Sequence, residues 1–109
     1  MKFNCCKADG KRKEEIEKIS SLLKLLAENN RLKILCILAS GEHCACEIIK
    51  HLQLPQNLVS HHLNKLKEAE LIQGRKDGVW IHYSLTGKGK NVASNVFKIN
   101  DSATEGGVK

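Results

Sequence analysis

The segment from Leu54 to Leu85 constrains the fold more than any other part of this chain, because it places a two-faced helix directly before a hairpin. Residues 55–69 follow helical periodicity, and their apolar side is made of Leu58, Val59, Leu63, Leu66 and Ala69. The opposite, polar side consists of Asn57, Ser60, His61, Asn64, Lys65 and Glu68. His62 flanks the apolar side, where a packed and hydrogen-bonded histidine is expected. We therefore predict that one face of this helix is buried and that the other is free to bind a ligand.

The residues after Glu70 change to a period of two, which is typical of a strand. The alternation sets Val79, Ile81, Tyr83 and Leu85 against Trp80, His82 and Ser84. Asp77-Gly78 predicts a tight hairpin turn, because both residues tolerate positive φ, and Arg75 and Lys76 would then lie at the hairpin tip. Such cations are either solvated or, beside a recognition helix, bind the nucleic-acid backbone. The order of helix and basic hairpin favours a winged helix-turn-helix, in which Asn and Ser contact base edges and Lys65 contacts phosphate.

Length and charge agree with a nucleic-acid partner. The 109 residues leave room for one domain and disfavour an enzyme built from two lobes. Eighteen Lys and Arg against twelve Asp and Glu give a net charge of +6. No apolar run is long enough to span a bilayer, and no signal-peptide pattern occurs, so we expect a cytoplasmic protein without a membrane partner. In that compartment the five cysteines would be free thiols, metal ligands or redox groups.

The predicted fold class is mainly α with a small β-hairpin. Helices are expected at about residues 11–28, 31–39 and 45–52 before the recognition helix, and at about 89–100 after the hairpin. The chain would then consist of a flexible arm (1–10), one DNA-binding and dimerisation domain (11–100) and a disordered tail (101–109). The first and last helices both carry apolar stripes. We predict that they form a homodimer interface; alternatively, both stripes complete the core of a monomer.

Cysteine spacing points to a thiol site at the start of the third helix. Cys44 and Cys46 would project about 200° apart on a regular helix, so they can face one ion only if the helix start is irregular. The partial positive charge of a helix N-terminus favours thiolate, the form that binds soft metals. Cys5 and Cys6 on the arm can supply one or two more sulfurs, from the same or the other protomer. Cys36 lies in the apolar second helix and is predicted to be in the core.

From about Leu23 to Thr86 the sequence resembles the ArsR/SmtB metalloregulatory repressors. The resemblance rests on motifs in unbroken order: Leu25-Leu26-Ala27 before Asn30-Arg31-Leu32-Lys33-Ile34-Leu35, then Cys44-Ala45-Cys46-Glu47, Ser60-His61-His62-Leu63, and Arg75-Lys76-Asp77-Gly78 with Tyr83-Ser84-Leu85. It implies a homodimeric repressor, not an enzyme, whose affinity for double-stranded operator DNA collapses when metal binds. By position it places DNA contacts on Gln56, Asn57, Ser60, His61, Arg75 and Lys76, and the thiolate site on Cys44 and Cys46.

Two departures from the family pattern narrow the range of ions expected as the inducer. Ile49 stands where some arsenite-sensing members have a third cysteine, and the last helix lacks the histidine and acidic ligands of zinc-sensing members. With Cys5 and Cys6 as further ligands, the site resembles that of a sensor of As(III) and Sb(III) or of Cd(II) and Pb(II). A repressor of the same fold that senses oxidants through a disulfide is the alternative. A small thiol oxidoreductase or metal carrier is disfavoured, because the sequence has no C-x-x-C.

Overall fold

The structure, a computed structural model, describes residues 10–105. Within this range the chain forms five helices: α1 (Gly10–Leu26), α2 (Asn29–Ala39), α3 (Ala45–Leu52), α4 (Gln56–Glu68) and α5 (Gly87–Glu105). Three strands, β1 (His43–Cys44), β2 (Ile72–Asp77) and β3 (Trp80–Leu85), form an antiparallel sheet in the order β1-β3-β2. The predicted mainly α fold with a small hairpin is confirmed, and β1 is an additional strand that the sequence did not predict.

The α3–α4 pair is defined by the residues at its ends. Cys44 is the N-cap of α3: its Sγ accepts a hydrogen bond from the backbone N–H of Cys46, and the Cys44 N–H donates to Oε1 of Glu47 at 2.8 Å. The helix ends at Gln53, which adopts the left-handed conformation with φ 55°. Pro55 then precedes the first residue of α4, where its fixed φ suits a helix start. Because only residues 53–55 separate the two helices, α3 and α4 form the predicted helix-turn-helix arrangement.

The core lies between α2, α3, α4 and the base of the hairpin. Its fully buried side chains are Ile34, Leu35, Ile48, Val59, Leu66, Leu71 and Ile72. Burial of an aliphatic side chain of this size contributes about 1.5–3 kcal/mol, so this cluster provides most of the stabilisation that holds α4 in place. Val59, Leu63 and Leu66 of the predicted apolar side are buried, whereas Leu58 is 38% exposed.

Parts of α1 and α5 remain uncovered in a single chain. The apolar side chains Ile16, Ile19 and Leu23 of α1 are 40–55% exposed, and Ile99 of α5 is 67% exposed. Leu26 and Ala93, by contrast, are buried and join the two helices to the core. The stripes of both helices are therefore only partly used within one chain.

Cys36 contradicts its predicted place in the core, because it is an exposed free cysteine. The buried side chains of α2 are Ile34, Leu35 and Leu38. At 100° per residue, Cys36 lies roughly 150° around the helix from the centre of that buried face. An apolar sequence around a residue is thus a poor guide to its burial when one side of the helix faces solvent.

The predicted boundaries need correction at both ends of the chain. Helix α5 begins earlier than expected, because the Thr86 hydroxyl accepts from the Gly89 N–H at 2.9 Å and caps the first turn. It also continues through Glu105, into the predicted tail, since residues 101–105 contain neither Gly nor Pro. Gly10, assigned to the arm, is the first residue of α1. The rest of the predicted arm, with Cys5 and Cys6, and residues 106–109 lie outside the described residues.

Gly89 provides a test of how α5 joins the core. A Cβ at this position would lie 1.9 Å from the backbone oxygen of Leu71, whereas a Cβ on Gly87 would meet nothing within 4 Å. Since backbone cannot move aside as a side chain can, we expect Gly89→Ala to lower the free energy of unfolding by at least about 2 kcal/mol. Gly87→Ala is the matched control and should stabilise by a few tenths to about 1 kcal/mol through helix propensity. Urea denaturation followed by circular dichroism measures both, and equal stabilities would contradict the predicted close approach.

Candidate nucleic-acid interface and thiol pair

The solvent side of α4 presents the predicted base-contacting residues together. Gln56, Asn57, Ser60, His61 and Asn64 are all exposed and line one open depression on the surface. Lys65, the predicted phosphate contact, is exposed one residue further along. Amide, hydroxyl and imidazole groups on one face supply the donors and acceptors that base edges in a major groove require. The arrangement is that of a surface able to contact both bases and backbone.

This polar face is oriented by a buried polar contact on the other side of α4. His62 is 5% exposed, and its Nδ1 accepts from Nε of Arg31 at 3.2 Å. Glu28, the N-cap of α2, accepts from the backbone N–H groups of Asn30 and Arg31, and its Oε1 lies 3.8 Å from Nε2 of His62. The predicted packed, hydrogen-bonded role of His62 is confirmed. Sequence reasoning missed its partners, because Glu28 and Arg31 lie more than 30 residues away in the chain.

The hairpin differs in detail from its prediction. Asp77 pairs with Trp80, so the two turn residues are Gly78 and Val79 rather than Asp77 and Gly78. Gly78 has the positive φ, 68°, that the first position of a type II′ turn requires. Val79 and Trp80 are 90% and 46% exposed at the tip. Arg75 and Lys76 are exposed, but they lie on β2 behind the tip that they were predicted to occupy.

Arg75 has an ion-pair partner that the sequence did not predict. Its Nε and Nη2 donate to the two carboxylate oxygens of Glu42 at 3.2 and 2.9 Å. The hydrogen bond from Arg75 lowers the pKa of Glu42, and the same hydrogen bond and the charge of Glu42 raise the pKa of Arg75. Glu42 directly precedes β1, so this contact joins the edge of the sheet to the wing. The only available signal was an acidic residue close to Cys44, which by itself names no partner.

Cys44 and Cys46 come together in the structure. Their sulfurs are in disulfide contact, and their Cα atoms are 5.2 Å apart. The convergence follows from the N-cap position, because Cys44 has extended backbone angles (φ −69°, ψ 147°) and its side chain turns over the start of α3. Cys44 is buried and Cys46 is half-buried. The irregular helix start that a shared thiol site requires is therefore present.

A complete metal site is not formed by residues 10–105 alone. Within this part of the chain, no group of three or more His, Cys, Asp and Glu side chains is arranged to hold a metal ion. Two converging sulfurs fit the preference of thiophilic ions for sulfur but provide only half of a four-sulfur site. Any further sulfur from Cys5 or Cys6 would come from outside the described residues.

The comparison with protein families identifies the core of this fold. Residues 28–73 match the family described as bacterial regulatory protein, arsR family. The chain is also 44% identical over 71 residues to a helix-turn-helix transcriptional regulator of Methanocaldococcus jannaschii, covering 64% of this chain and 80% of that protein. The chain belongs to the ArsR family.

Other ArsR-family relatives carry names that mention metals. An arsenical resistance operon repressor of Staphylococcus aureus is 44% identical over 62 residues, which cover 57% of this chain and 60% of that protein. The cadmium resistance regulator CadC of Listeria innocua is 35% identical over 66 residues, 60% of this chain and 56% of CadC. The match thus spans somewhat more than half the length of these relatives.

A solved structure supports the architecture of this ArsR-family chain. The homodimeric winged helix-turn-helix domain of a Mycobacterium bovis protein, a possible ArsR-family regulator, has a TM-score of 0.77 at 26% identity; the match covers 90% of this chain and 91% of that one. Members of this family are DNA-binding transcriptional regulators and not enzymes. Among residues 10–105, no helix is long and apolar enough to cross a membrane.

The buried histidine of α4 predicts a pH dependence of stability. Burial lowers the pKa of His62 below its ordinary value of 6.5, although the charge of Glu28 opposes this shift. The unfolded chain therefore binds a proton at His62 before the folded chain does. Neutral His62 should contribute fully to the free energy of unfolding above about pH 6.5. Below this pH the free energy of unfolding should decrease, with a slope no steeper than about 1.4 kcal/mol per pH unit for one proton.

Urea unfolding of the wild type and of His62→Gln between pH 5 and 8 measures this effect. Glu28 does not interfere in this range. Partial burial raises its pKa, but hydrogen bonds from the Arg31 and Asn30 backbone and the charge of His62 lower it below 4.5 overall. His51→Gln, a change in an exposed histidine of α3, is the control and should keep the pH dependence of the wild type, because His51 is not among the groups that shift the pKa of His62. A His62→Gln profile parallel to that of the wild type would show that His62 does not cause it.

Proposed function

We propose that the protein is a cytoplasmic repressor that binds operator DNA as a homodimer and is released when a thiophilic ion binds Cys44 and Cys46. The observation that carries this proposal is the meeting of the two sulfurs at the N-cap of α3, the helix directly before the recognition helix. The arsenical and cadmium resistance functions named for its relatives support an inducer of this chemistry.

DNA binding is assigned to α4 and the wing. Gln56, Asn57, Ser60, His61 and Asn64 would contact base edges, and Lys65, Arg75 and Lys76 would contact phosphates. The exposed apolar side chains of α1 and α5 would be covered by a second copy of the chain, as the homodimeric M. bovis neighbour suggests. A two-fold dimer presents two copies of α4 to major-groove half-sites about one helical turn apart.

The inducer is assigned from its preference for sulfur. Cys44 and Cys46 supply two thiolates, and Ile49, which packs against the core, cannot supply a third from α3. We propose that Cys5 and Cys6 complete the site, from the same or the other protomer. One of them gives the three sulfurs that suit As(III) or Sb(III), and both give the four that suit Cd(II) or Pb(II).

Release requires that the ion favour one conformation of the dimer over another. Helix α3 packs against α4, so a change at the N-cap of α3 would move the recognition helix relative to the rest of the domain. An ion that binds the low-affinity conformer more tightly than the DNA-bound conformer lowers DNA affinity by the ratio of the two affinities. The proposed site lies at the start of the helix that packs against α4.

The contact between the two sulfurs also favours a second candidate function, a repressor that senses oxidants. Two thiols at this distance can form a disulfide by giving two electrons and two protons to a peroxide, which is reduced to water or an alcohol. The N-cap would change in geometry without any metal. Peroxide would then release DNA reversibly, and arsenite or cadmium would not.

The DNA interface predicts two different kinds of loss. Arg75→Ala removes a phosphate contact, so binding to every sequence should weaken and the salt slope should fall by about 1. Asn57→Ala and His61→Ala remove base contacts, so discrimination between operator and random DNA should fall by about 1–3 kcal/mol. Fluorescence anisotropy with a duplex selected from a random pool by the reduced wild type, and with an unselected duplex, measures both. If all three variants lose equally on both duplexes, α4 is not the recognition helix.

The thiol site predicts a loss of response without a loss of DNA binding. Serine keeps the size of cysteine but removes the soft thiolate, so Cys44→Ser and Cys46→Ser should bind the selected duplex like the wild type. They should stay bound when arsenite, Cd(II) or Pb(II) is titrated under reducing conditions. Cys5→Ser and Cys6→Ser should weaken the response less if only one of them is a ligand.

Cys36→Ser is the matched control, because Cys36 is exposed on the far side of α2 and should leave the response intact. Metal-driven release of a Cys44→Ser, Cys46→Ser double variant would remove these residues from the inducer site. Loss of DNA binding by the untreated serine variants would instead assign the cysteines a structural role.

A further inference from the structure

We infer that Glu42 is a positioning residue that withholds Arg75 from DNA and connects the thiol pair to the wing. This inference rests on the proposed function, because it concerns the affinity for DNA and its response to an inducer. It adds a second connection beside the packing of α3 on α4. Neither Glu42 nor this connection is needed to explain how the protein recognises DNA.

The first argument is the form of the ion pair. Glu42 occupies both donors on one edge of the Arg75 guanidinium, Nε and Nη2. A phosphate binds arginine through the same planar pair of donors, so carboxylate and phosphate compete for this edge. Both side chains are accessible to solvent, with exposed fractions of 58% for Arg75 and 40% for Glu42. A DNA strand can therefore reach the pair and displace the carboxylate.

The second argument is the register of the sheet. Cys44 pairs with His82 across β1 and β3, and His82 pairs with Arg75 across β3 and β2. Residues that pair directly across antiparallel strands project from the same face, so Cys44, His82 and Arg75 form one row. The outer members of the row are about 10 Å apart, two strand spacings. Cys44 of the thiol pair and the wing arginine thus share a face of one small sheet.

The third argument is the short chain connection between Glu42 and the thiols. Glu42 lies two residues before Cys44, and β1 is held to β3 through only two paired positions. Cys44 is at the same time the last residue of β1 and the N-cap of α3. A movement of Cys44 toward a bound ion or its partner sulfur must be taken up by β1, which Glu42 directly precedes. The side chain that holds Arg75 therefore moves with the thiol site.

These arguments imply that Arg75 favours DNA binding and that Glu42 opposes it. When the sulfurs are joined, as in this structure, Arg75 is held by Glu42 and is not free for phosphate. DNA binding must break this contact and place the carboxylate beside a phosphate of the same charge sign, which lowers affinity. An inducer that strengthens the contact therefore favours release.

Glu42→Gln tests the competition directly, since it keeps the shape of the side chain but removes its charge. With the selected duplex and reduced protein, we expect it to bind about two- to fivefold more tightly than the wild type, in the range of an exposed ion pair. The gain should vanish in an Arg75→Ala background. Glu17→Gln, which changes an exposed glutamate of α1, makes the same change in net charge and should have a smaller effect in either background.

The response to the inducer tests the connection to the thiols. In Glu42→Gln, the ratio of DNA affinities without and with Cd(II) or arsenite should fall by at least twofold. By linkage, the Cd(II) affinity of the DNA-free variant, followed by the ultraviolet absorption of the sulfur–cadmium bond, should fall by the same factor, because DNA-bound protein has already lost the contact. A residue with a merely structural role would not make these two factors equal.

The outcomes distinguish this inference from the proposed function. Affinity of Glu42→Gln equal to that of the wild type, or a gain that persists in the Arg75→Ala background, overturns the role of Glu42 and leaves the proposed function standing. An unchanged affinity ratio with inducer overturns the connection to the thiols. Failure of the reduced wild type to select any duplex overturns the proposed function and this inference together.

Discussion

The burial of one face of α4 is the constraint on which the proposed DNA-binding surface depends. Val59, Leu63 and Leu66 pack into the core, and the rotation of the helix then decides which residues face solvent. Apolar contacts alone tolerate some rotation, because they have no direction. His62 does not tolerate such a rotation, since a buried imidazole needs its hydrogen-bond partner. Its bond to Arg31 therefore fixes the rotation of α4 relative to α2, and with it the positions of Asn57 and His61 on the other face.

Local patterns predicted the elements of this fold well, and contacts distant in sequence were the main source of error. Helix α3 occupies the predicted residues, because apolar periodicity, an N-cap and a left-handed C-cap all agree there. The predicted end of α5 and the predicted burial of Cys36 were wrong. Each prediction judged a polar or apolar stretch of sequence without the residues that surround it in space. Strand β1 has two residues and no pattern of its own, so it exists only because β3 provides a partner.

The candidate site shows the same division. The solvent face of α4 follows from helical periodicity, which placed Asn57, Ser60, His61 and Asn64 there, whereas Gln56 was named only through the family resemblance. The convergence of Cys44 and Cys46 was conditional on an irregular helix start, which a C-x-C spacing does not itself specify. The partner of Arg75 could not be predicted, because Glu42 is 33 residues away and no local rule pairs them. Electrostatic contacts across a sheet edge depend on register, and register is known only once the strands are placed.

The pairing of Arg75 changes how the net charge of +6 bears on DNA binding. The net charge does not show whether a given cation is available for phosphate. The guanidinium of Arg75 already binds the carboxylate of Glu42 in the free protein. In the proposed interface the wing therefore contributes less to affinity than its sequence indicates, and its contribution depends on the position of Glu42. Because Glu42 is tied to Cys44 through β1, and Cys44 to α4 through α3, one residue lies on both proposed routes from the thiols to DNA. On this proposal, a shift at that single N-cap would change base contacts and backbone contacts together, which an ion bound to either element alone could not do.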